Sequence, residues 1–69
     1  MKLNVKKIRL EKGLTQEELA SKSGISRASI ALYESNSIDN ITVKNLEALA
    51  KVLECSIAEL FISNWSLIN

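Results

Sequence analysis

Apolar residues along this chain of 69 residues recur at spacings of three and four, the spacing of one face of an α-helix. The longest such stripe occupies positions i, i+3, i+4 and i+7 and consists of Leu46, Leu49, Ala50 and Leu53. Shorter pairs, three residues apart, are Val5 with Ile8 and Ile30 with Tyr33. No segment of any length alternates between apolar and polar residues as a half-buried strand would. The pattern therefore predicts an all-α chain with these residues in its core.

Glycines and small polar residues divide this pattern into segments. Gly13 and Gly24 end the first two segments, where glycine adopts the left-handed conformation of a helix C-cap at no cost. Serine or threonine precedes each later segment and can accept a hydrogen bond from the first helical turn; these N-cap candidates are Thr15, Ser26, Thr42 and Ser56. We therefore expect a compact fold of five short helices, over residues 3–12, 15–23, 26–35, 42–53 and 56–61.

The second and third segments have the features of a helix-turn-helix unit. Thr15 and Glu18 have the spacing of a capping box, in which each side chain accepts a hydrogen bond from the other residue's backbone amide. Gly24 lies in the short turn that follows. In such a unit the second helix enters the major groove of DNA. The segment 26–35 is therefore the candidate recognition helix.

Composition restricts the chemistry that the chain can perform. Its length fits one domain, which we expect to span residues 1–69. Without histidine, and with Cys55 as the one cysteine, it can form neither an internal disulfide nor a mixed cysteine–histidine zinc site. We expect Cys55 to be a small buried residue, and we expect no cofactor, metal or small-molecule ligand. A net charge of +1 is low for DNA binding, but five basic residues lie within the first twelve positions.

The location of the protein is predicted from the absence of hydrophobic targeting segments. No apolar run approaches the roughly 20 residues that span a bilayer. The first residues, MKLNVKK, lack the apolar region of a signal peptide. We therefore expect a cytoplasmic protein without a membrane partner.

The run from Leu14 to Arg27, LTQEELASKSGISR, closely resembles the Cro/repressor-type helix-turn-helix family, also called XRE-like. The resemblance covers roughly residues 4–61. It implies a five-helix fold like that of lambda repressor and a sequence-specific DNA-binding regulator of transcription. Within the family, the chain is most similar to the controller proteins of restriction–modification systems; the segments that carry this similarity are residues 6–13, 36–37 and 42–47.

The face of the third helix opposite Ile30 and Tyr33 is expected to meet base edges. The predicted base contacts are Arg27, Ala28, Ser29 and Leu32. The guanidinium of Arg27 matches O6 and N7 of guanine; the alternatives are a phosphate contact or a solvated surface arginine. Leu32 stands where the family usually has a polar or basic residue. It could touch a thymine methyl group, or it could pack on a neighbour and read no base.

Gln16 is the first predicted phosphate contact, because the matching glutamine of the family holds a DNA phosphate and can brace a side chain of the recognition helix. The alternative is a surface glutamine that favours helix formation. The other predicted phosphate contacts lie at helix starts and in the loop after the third helix, namely Ser26, Asn36, Ser37, Asn40, Thr42 and Lys44. Because few of these residues are basic, we expect a shallow dependence of DNA binding on salt.

The resemblance also assigns structural roles. The family commonly has a partly buried ion pair between the first helix and the end of the third, which implies a pair between Arg9 and Glu34. The alternative for Arg9 is a contact with DNA. Glu54 stands where the family commonly has a glycine, at the end of the fourth helix.

One recognition helix reads only a few base pairs, so we expect a homodimer on two half-sites about 34 Å apart. The end of the chain carries more apolar side chains than a small core can bury, and the predicted interface residues are Leu60, Ile62, Trp65 and Leu67. The alternative is that residues 62–69 fold back over their own subunit.

The leading interpretation is a homodimeric, sequence-specific transcriptional regulator that binds double-stranded DNA, with the controller of a restriction–modification operon as its particular form. RNA polymerase is a further candidate partner. The alternatives are a phage-type repressor, or a protein-interaction module such as an antitoxin that uses the apolar face of the third helix. An enzyme is not expected, because the chain has no histidine, no phosphate-binding loop and no activated nucleophile.

Overall fold

The computed structural model describes residues 3–35 and 40–61, and this part of the chain is all-helical. Its four α-helices are α1 (Val5–Glu11), α2 (Gln16–Ser23), α3 (Arg27–Glu34) and α4 (Val43–Leu53). A single 3₁₀ turn, Ala58–Leu60, follows α4. The all-α prediction is confirmed, and so are α2, α3 and α4, each within one residue of its predicted start and end.

The expectation of a fifth α-helix over residues 56–61 is wrong. Ser56 does begin the segment as an N-cap would, because Ser56 and Glu59 exchange hydrogen bonds of 3.0 and 3.2 Å between backbone amide and side chain. The helix ends after one turn because Phe61 is extended and pairs antiparallel with Leu3. The fold therefore has four α-helices and one 3₁₀ turn within the described residues.

The same pairing corrects the start of the first helix, which was expected at residue 3. The backbone amide of Asn4 donates to the carbonyl oxygen of Leu60 at 2.6 Å, so the chain before Val5 runs alongside the 3₁₀ turn rather than in a helix. Leu3 is buried there. Both ends of the described chain are thus joined to each other by backbone hydrogen bonding.

Side-chain caps and glycines set the helix ends, as the sequence predicts. Thr15 and Glu18 form both bonds of the capping box, at 3.0 and 2.9 Å. Ser26 and Thr42 cap α3 and α4, each by accepting from the backbone amide three residues later. Gly13 and Gly24 have φ values of +73° and +75°, the left-handed conformation that ends α1 and α2.

The core is formed by the apolar faces of the helices. α2 packs against both α3 and α4, and α1 packs against the same two helices. The side chains that are completely buried come from all four helices and from the 3₁₀ turn, and they are Val5, Leu19, Ile30, Leu49, Leu53 and Leu60. The predicted core pairs of α1 and α3 and the predicted stripe of α4 all lie in this core.

None of the helices in residues 3–35 and 40–61 has the length and apolar character required to cross a membrane.

Candidate nucleic-acid interface

The outer face of α3 is exposed along its whole length. Ile30 and Tyr33 point into the core, while Arg27, Ala28 and Ala31 are exposed and Leu32 is 58% exposed. Leu32 is one of four large apolar side chains that are exposed among the described residues, the others being Leu10, Val43 and Ile57. The chain thus presents a helix surface with one cation at its beginning and apolar side chains behind it.

Ser29 and Ser26 differ from the other predicted DNA contacts because their hydroxyl groups bond to each other. The Ser26 hydroxyl donates to Oγ of Ser29 at 2.9 Å and accepts from the backbone amide of Ser29 at 3.1 Å. Ser29 is half-buried on the flank of α3, and Ser26 is exposed. These two hydroxyls hold the first turn of α3 in shape.

The beginning of α2 lies beside the end of α3, and Gln16 joins the two helices. Its amide nitrogen Nε2 donates to Oε1 of Glu34 at 3.0 Å. Gln16 is half-buried. The structure therefore fixes the side chain of Gln16 relative to α3.

Glu34 is held in turn by Arg9, and these residues form a buried ion pair between α1 and α3. Arg9 Nε donates to Oε2 of Glu34 at 2.6 Å, and Nη2 donates to Oε1 at 3.1 Å. The remaining nitrogen, Nη1, donates to the carbonyl oxygen of Leu14 at 2.7 Å. The two side chains are 8% and 4% exposed. All three guanidinium nitrogens of Arg9 thus have partners within the protein.

An open groove of about 600 Å³ separates the N-termini of α2 and α3. Its walls include Thr15, Gln16 and Glu17 from the start of α2, and Arg27 from the start of α3. Nη1 of Arg27 lies 3.9 Å from Oε1 of Glu17, and both side chains are largely exposed. The carboxylate of Glu18 points elsewhere, because it accepts from the backbone of Thr15 and this bond lowers the pKa of Glu18.

The loop after α3 is described only in part. Asn36 and Ser37 lie outside the described residues. Asn40 and Lys44 are exposed, and Thr42 uses its hydroxyl oxygen to cap α4 by accepting from Asn45 at 3.1 Å. These three residues therefore surround the beginning of α4, next to the end of α3.

The structure corrects one predicted interface residue. Leu60 is completely buried within its own subunit, so its side chain cannot contact a second subunit. It is enclosed because the 3₁₀ turn packs against the core and pairs with the start of the chain. The other predicted interface residues, Ile62, Trp65 and Leu67, lie outside the described residues.

Two contacts at this surface were missed by sequence analysis. One is the ion pair of Glu17 with Arg27; the other is the hydrogen bond of 2.8 Å from the Asn45 amide to the hydroxyl of Tyr33. The second ties α4 to α3. The local spacing of residues predicts neither contact, because each joins two different helices. The pair of Glu17 with Arg27 is indicated only by the way that the two helices of a helix-turn-helix unit pack.

Cys55 has the surroundings of a packing residue. It is half-buried against the core, and this burial raises the pKa of its thiol, to which the negative charge of Glu59 adds. A raised pKa lowers the thiolate fraction and hence the reactivity.

A profile of the helix-turn-helix family matches residues 5–60 of the chain. Because the match includes most of its length, the chain belongs to the helix-turn-helix family. A search among curated proteins finds no match.

Solved structures include close likenesses among regulators. The restriction–modification controller C.AhdI from Aeromonas hydrophila is 34% identical over 84% of this chain and 86% of its own, with a TM-score of 0.76. The controller C.Esp1396I is 56% identical over 75% of this chain and 66% of its own, with a TM-score of 0.66. SinR, a master regulator for biofilm formation solved in complex with DNA, is 33% identical over 80% of this chain and 87% of its own, with a TM-score of 0.75. The protein is accordingly a non-enzymatic, DNA-binding transcriptional regulator, of a class that includes restriction–modification controllers.

Proposed function

We propose that this protein is a single-domain controller of a restriction–modification operon that binds a two-fold symmetric operator as a homodimer, with α3 in the major groove. The observation that carries the proposal is the exposed face of α3 beside the start of α2, held in register by Arg9, Glu34 and Gln16. A rigid pair of helices of this kind lets one helix read bases while the other is fixed on the backbone. The 56% identity with a solved controller supports the particular operon.

Arg27 is the proposed reader of a guanine. It is the first residue of α3 and its guanidinium is exposed, where residues of a recognition helix reach base edges. Its two donor nitrogens match the acceptors O6 and N7 of guanine. Ala28 and Leu32 offer methyl groups to thymine, and the hydroxyl of Ser29, which accepts from Ser26, keeps its own proton for a base acceptor.

The proposed phosphate contacts come from helix starts and from the loop after α3. Gln16, fixed by Glu34, begins α2, and Ser26 caps α3. Asn36 and Ser37 belong to the loop after α3, and Asn40, Thr42 and Lys44 surround the start of α4. Such contacts set the position of α3 in the groove without reading sequence.

Dimerisation is proposed through the end of the chain, with Ile62, Trp65 and Leu67 as interface residues. This segment follows Phe61 in the sequence, and Leu60 is buried in its own subunit rather than available as a contact. When it acts as an activator, the dimer would contact RNA polymerase through a surface that DNA leaves free.

The test is selection of bound duplexes from a random oligonucleotide pool by the wild type and by Lys22→Ala, a control substitution in the last turn of α2, away from the proposed contacts. We expect both proteins to recover the same two-fold symmetric motif with half-sites about 34 Å apart. Recovery of an asymmetric motif would contradict a dimer, and recovery of no motif at modest salt would contradict sequence-specific binding.

A protein-interaction module is the second candidate, and the 58% exposure of Leu32 favours it. A contiguous apolar patch on a helix surface, here Leu32 with Ala28 and Ala31, is typical of a protein contact. Salt separates the two functions, because binding to duplex DNA weakens as salt rises even where the slope is shallow, whereas an apolar protein contact does not weaken. A Leu32→Ser variant that binds the selected duplex normally but loses a co-purifying protein would support the second function.

A further inference from the structure

The acid closest to the proposed base reader is Glu17. Its Oε1 atom lies 3.9 Å from Nη1 of Arg27, and the two side chains are 79% and 64% exposed. Arg27 is the one basic residue in α3, and Glu17 comes from the first turn of α2. The pair therefore bridges the two helix starts across the open groove.

The neighbouring carboxylates of Glu18 and Glu34 have other partners and do not pair with Arg27. Glu18 is engaged by its own capping box, and Glu34 is buried with Arg9 and Gln16. Among the described residues that line the groove, Glu17 is the one acidic residue, and its side chain is exposed, as is that of Arg27. The charge of Arg27 is thus opposed by one specific side chain in the free protein.

The geometry indicates attraction without orientation. A separation of 3.9 Å is longer than a hydrogen bond, so Glu17 does not fix the plane of the guanidinium group. It attracts Arg27 as a charge. A base contact requires the donors of Arg27 to leave this partner, and phosphates that approach the start of α2 come near a negative side chain.

We propose that Glu17 restrains Arg27 in the free protein and thereby weakens binding to any duplex on which Arg27 must leave the pair. A guanine compensates with two acceptors for the fork of Arg27, whereas an unrelated duplex offers only phosphates. Glu17 therefore lowers the affinity for the operator, whereas on an unrelated duplex Arg27 can remain with Glu17 and the pair costs nothing. This inference rests on the proposed base contact of Arg27.

The experiment is a double-mutant cycle on DNA affinity. The dissociation constants of the wild type, Glu17→Gln, Arg27→Ala and the double variant are measured on the selected duplex and on a random-sequence duplex, at one salt concentration. The matched control is Glu54→Gln, which also removes one negative charge and one exposed ion pair, with Lys12 at 3.8 Å. Glu54 is the C-cap of α4 and lies about 16 Å along the helix from the proposed phosphate contacts at its start. This distance exceeds the screening length of about 8 Å at physiological salt.

We expect Glu17→Gln to tighten binding to the selected duplex roughly two- to fivefold per subunit, the range of an exposed ion pair. We expect a smaller gain on the random-sequence duplex, because there Arg27 can remain with Glu17, and a larger gain there would contradict the restraint. In the Arg27→Ala background the gain should fall to that of the Glu54→Gln control. Weaker binding by Glu17→Gln, or an undiminished gain without Arg27, would overturn the proposal.

The cycle separates this inference from the proposed function. If Arg27→Ala weakens binding but is not coupled to Glu17, only the restraint by Glu17 is refuted. If Arg27→Ala leaves binding to the selected duplex unchanged, the base contact of Arg27 is refuted, and the restraint with it.

Discussion

Glu54 adopts a left-handed backbone conformation at the C-terminal end of α4, with φ of +55°. This conformation costs roughly 1–2 kcal/mol for a residue with a Cβ atom, whereas glycine adopts it freely. The exposed ion pair of Glu54 with Lys12, at 3.8 Å, offsets little of that cost.

We therefore expect Glu54→Gly to stabilise the protein by about 1 kcal/mol, measured by urea denaturation. Glu47→Gly, at an exposed position inside α4, is the control and should destabilise it by about 1 kcal/mol. A Glu54→Gly variant less stable than the wild type would contradict the strain at this position.

The ion pair of Arg9 and Glu34 is buried, and its burial decides how much stability is lost when one partner is removed. Removing either partner leaves an uncompensated buried charge, so we expect Arg9→Ala and Glu34→Ala each to cost about 3–5 kcal/mol of unfolding free energy. The double variant should cost less than the sum of the two. Additive losses in urea denaturation, or losses under 1 kcal/mol, would show that the pair does not hold α1 to α3.

At the scale of elements, the capping residues carried most of the predictive signal. Thr15, Ser26 and Thr42 are caps whose bonds are made within four residues, so spacing alone reveals them. Ser56 carries the same signal, yet its helix stops after one turn, because Phe61 pairs with Leu3 from the other end of the chain. A partner so distant in sequence cannot be found from local propensity.

The capping box of α2 should contribute stability that depends on pH. Its hydrogen bonds lower the pKa of Glu18 from 4.5 in the folded protein. A lowered folded pKa means that the contribution is complete above about pH 4.5 and is lost as the pH falls through the folded value.

We expect Thr15→Ala to cost about 1 kcal/mol at pH 7 and to flatten the loss of stability below pH 4.5. Both quantities are measured by urea denaturation between pH 7 and pH 3. An unchanged acid dependence in Thr15→Ala would show that Glu18 titrates without help from the capping box.

At the scale of the whole molecule, the net charge was less informative about function than the helix-turn-helix pattern. A net charge of +1 is a poor sign of DNA binding, and the helix-turn-helix pattern with its resemblance indicated the class correctly. The pairing of Glu17 with Arg27 and the burial of Leu60 required the packed structure, because each depends on how separate elements pack together.

The small number of basic phosphate contacts predicts a shallow salt dependence. Lys44 is the one basic side chain among them, so we expect the slope of log affinity against log salt to have a magnitude below about 4 for the dimer. Lys44→Gln should reduce that magnitude by about 2, one unit per subunit, whereas Lys51→Gln at the other end of α4 should not change it. A slope near that of strongly basic repressors would contradict these contacts.

The most direct measurement is the affinity of the wild type and of Arg27→Ala for a series of duplexes that carry every single-base change in one half-site. If α3 reads DNA through Arg27, the wild type prefers guanine at one position by about 1–3 kcal/mol, and the variant loses the preference at that position alone. If Arg27→Ala weakens binding equally at all positions, Arg27 contacts phosphate; if it changes nothing, α3 does not read the operator through Arg27.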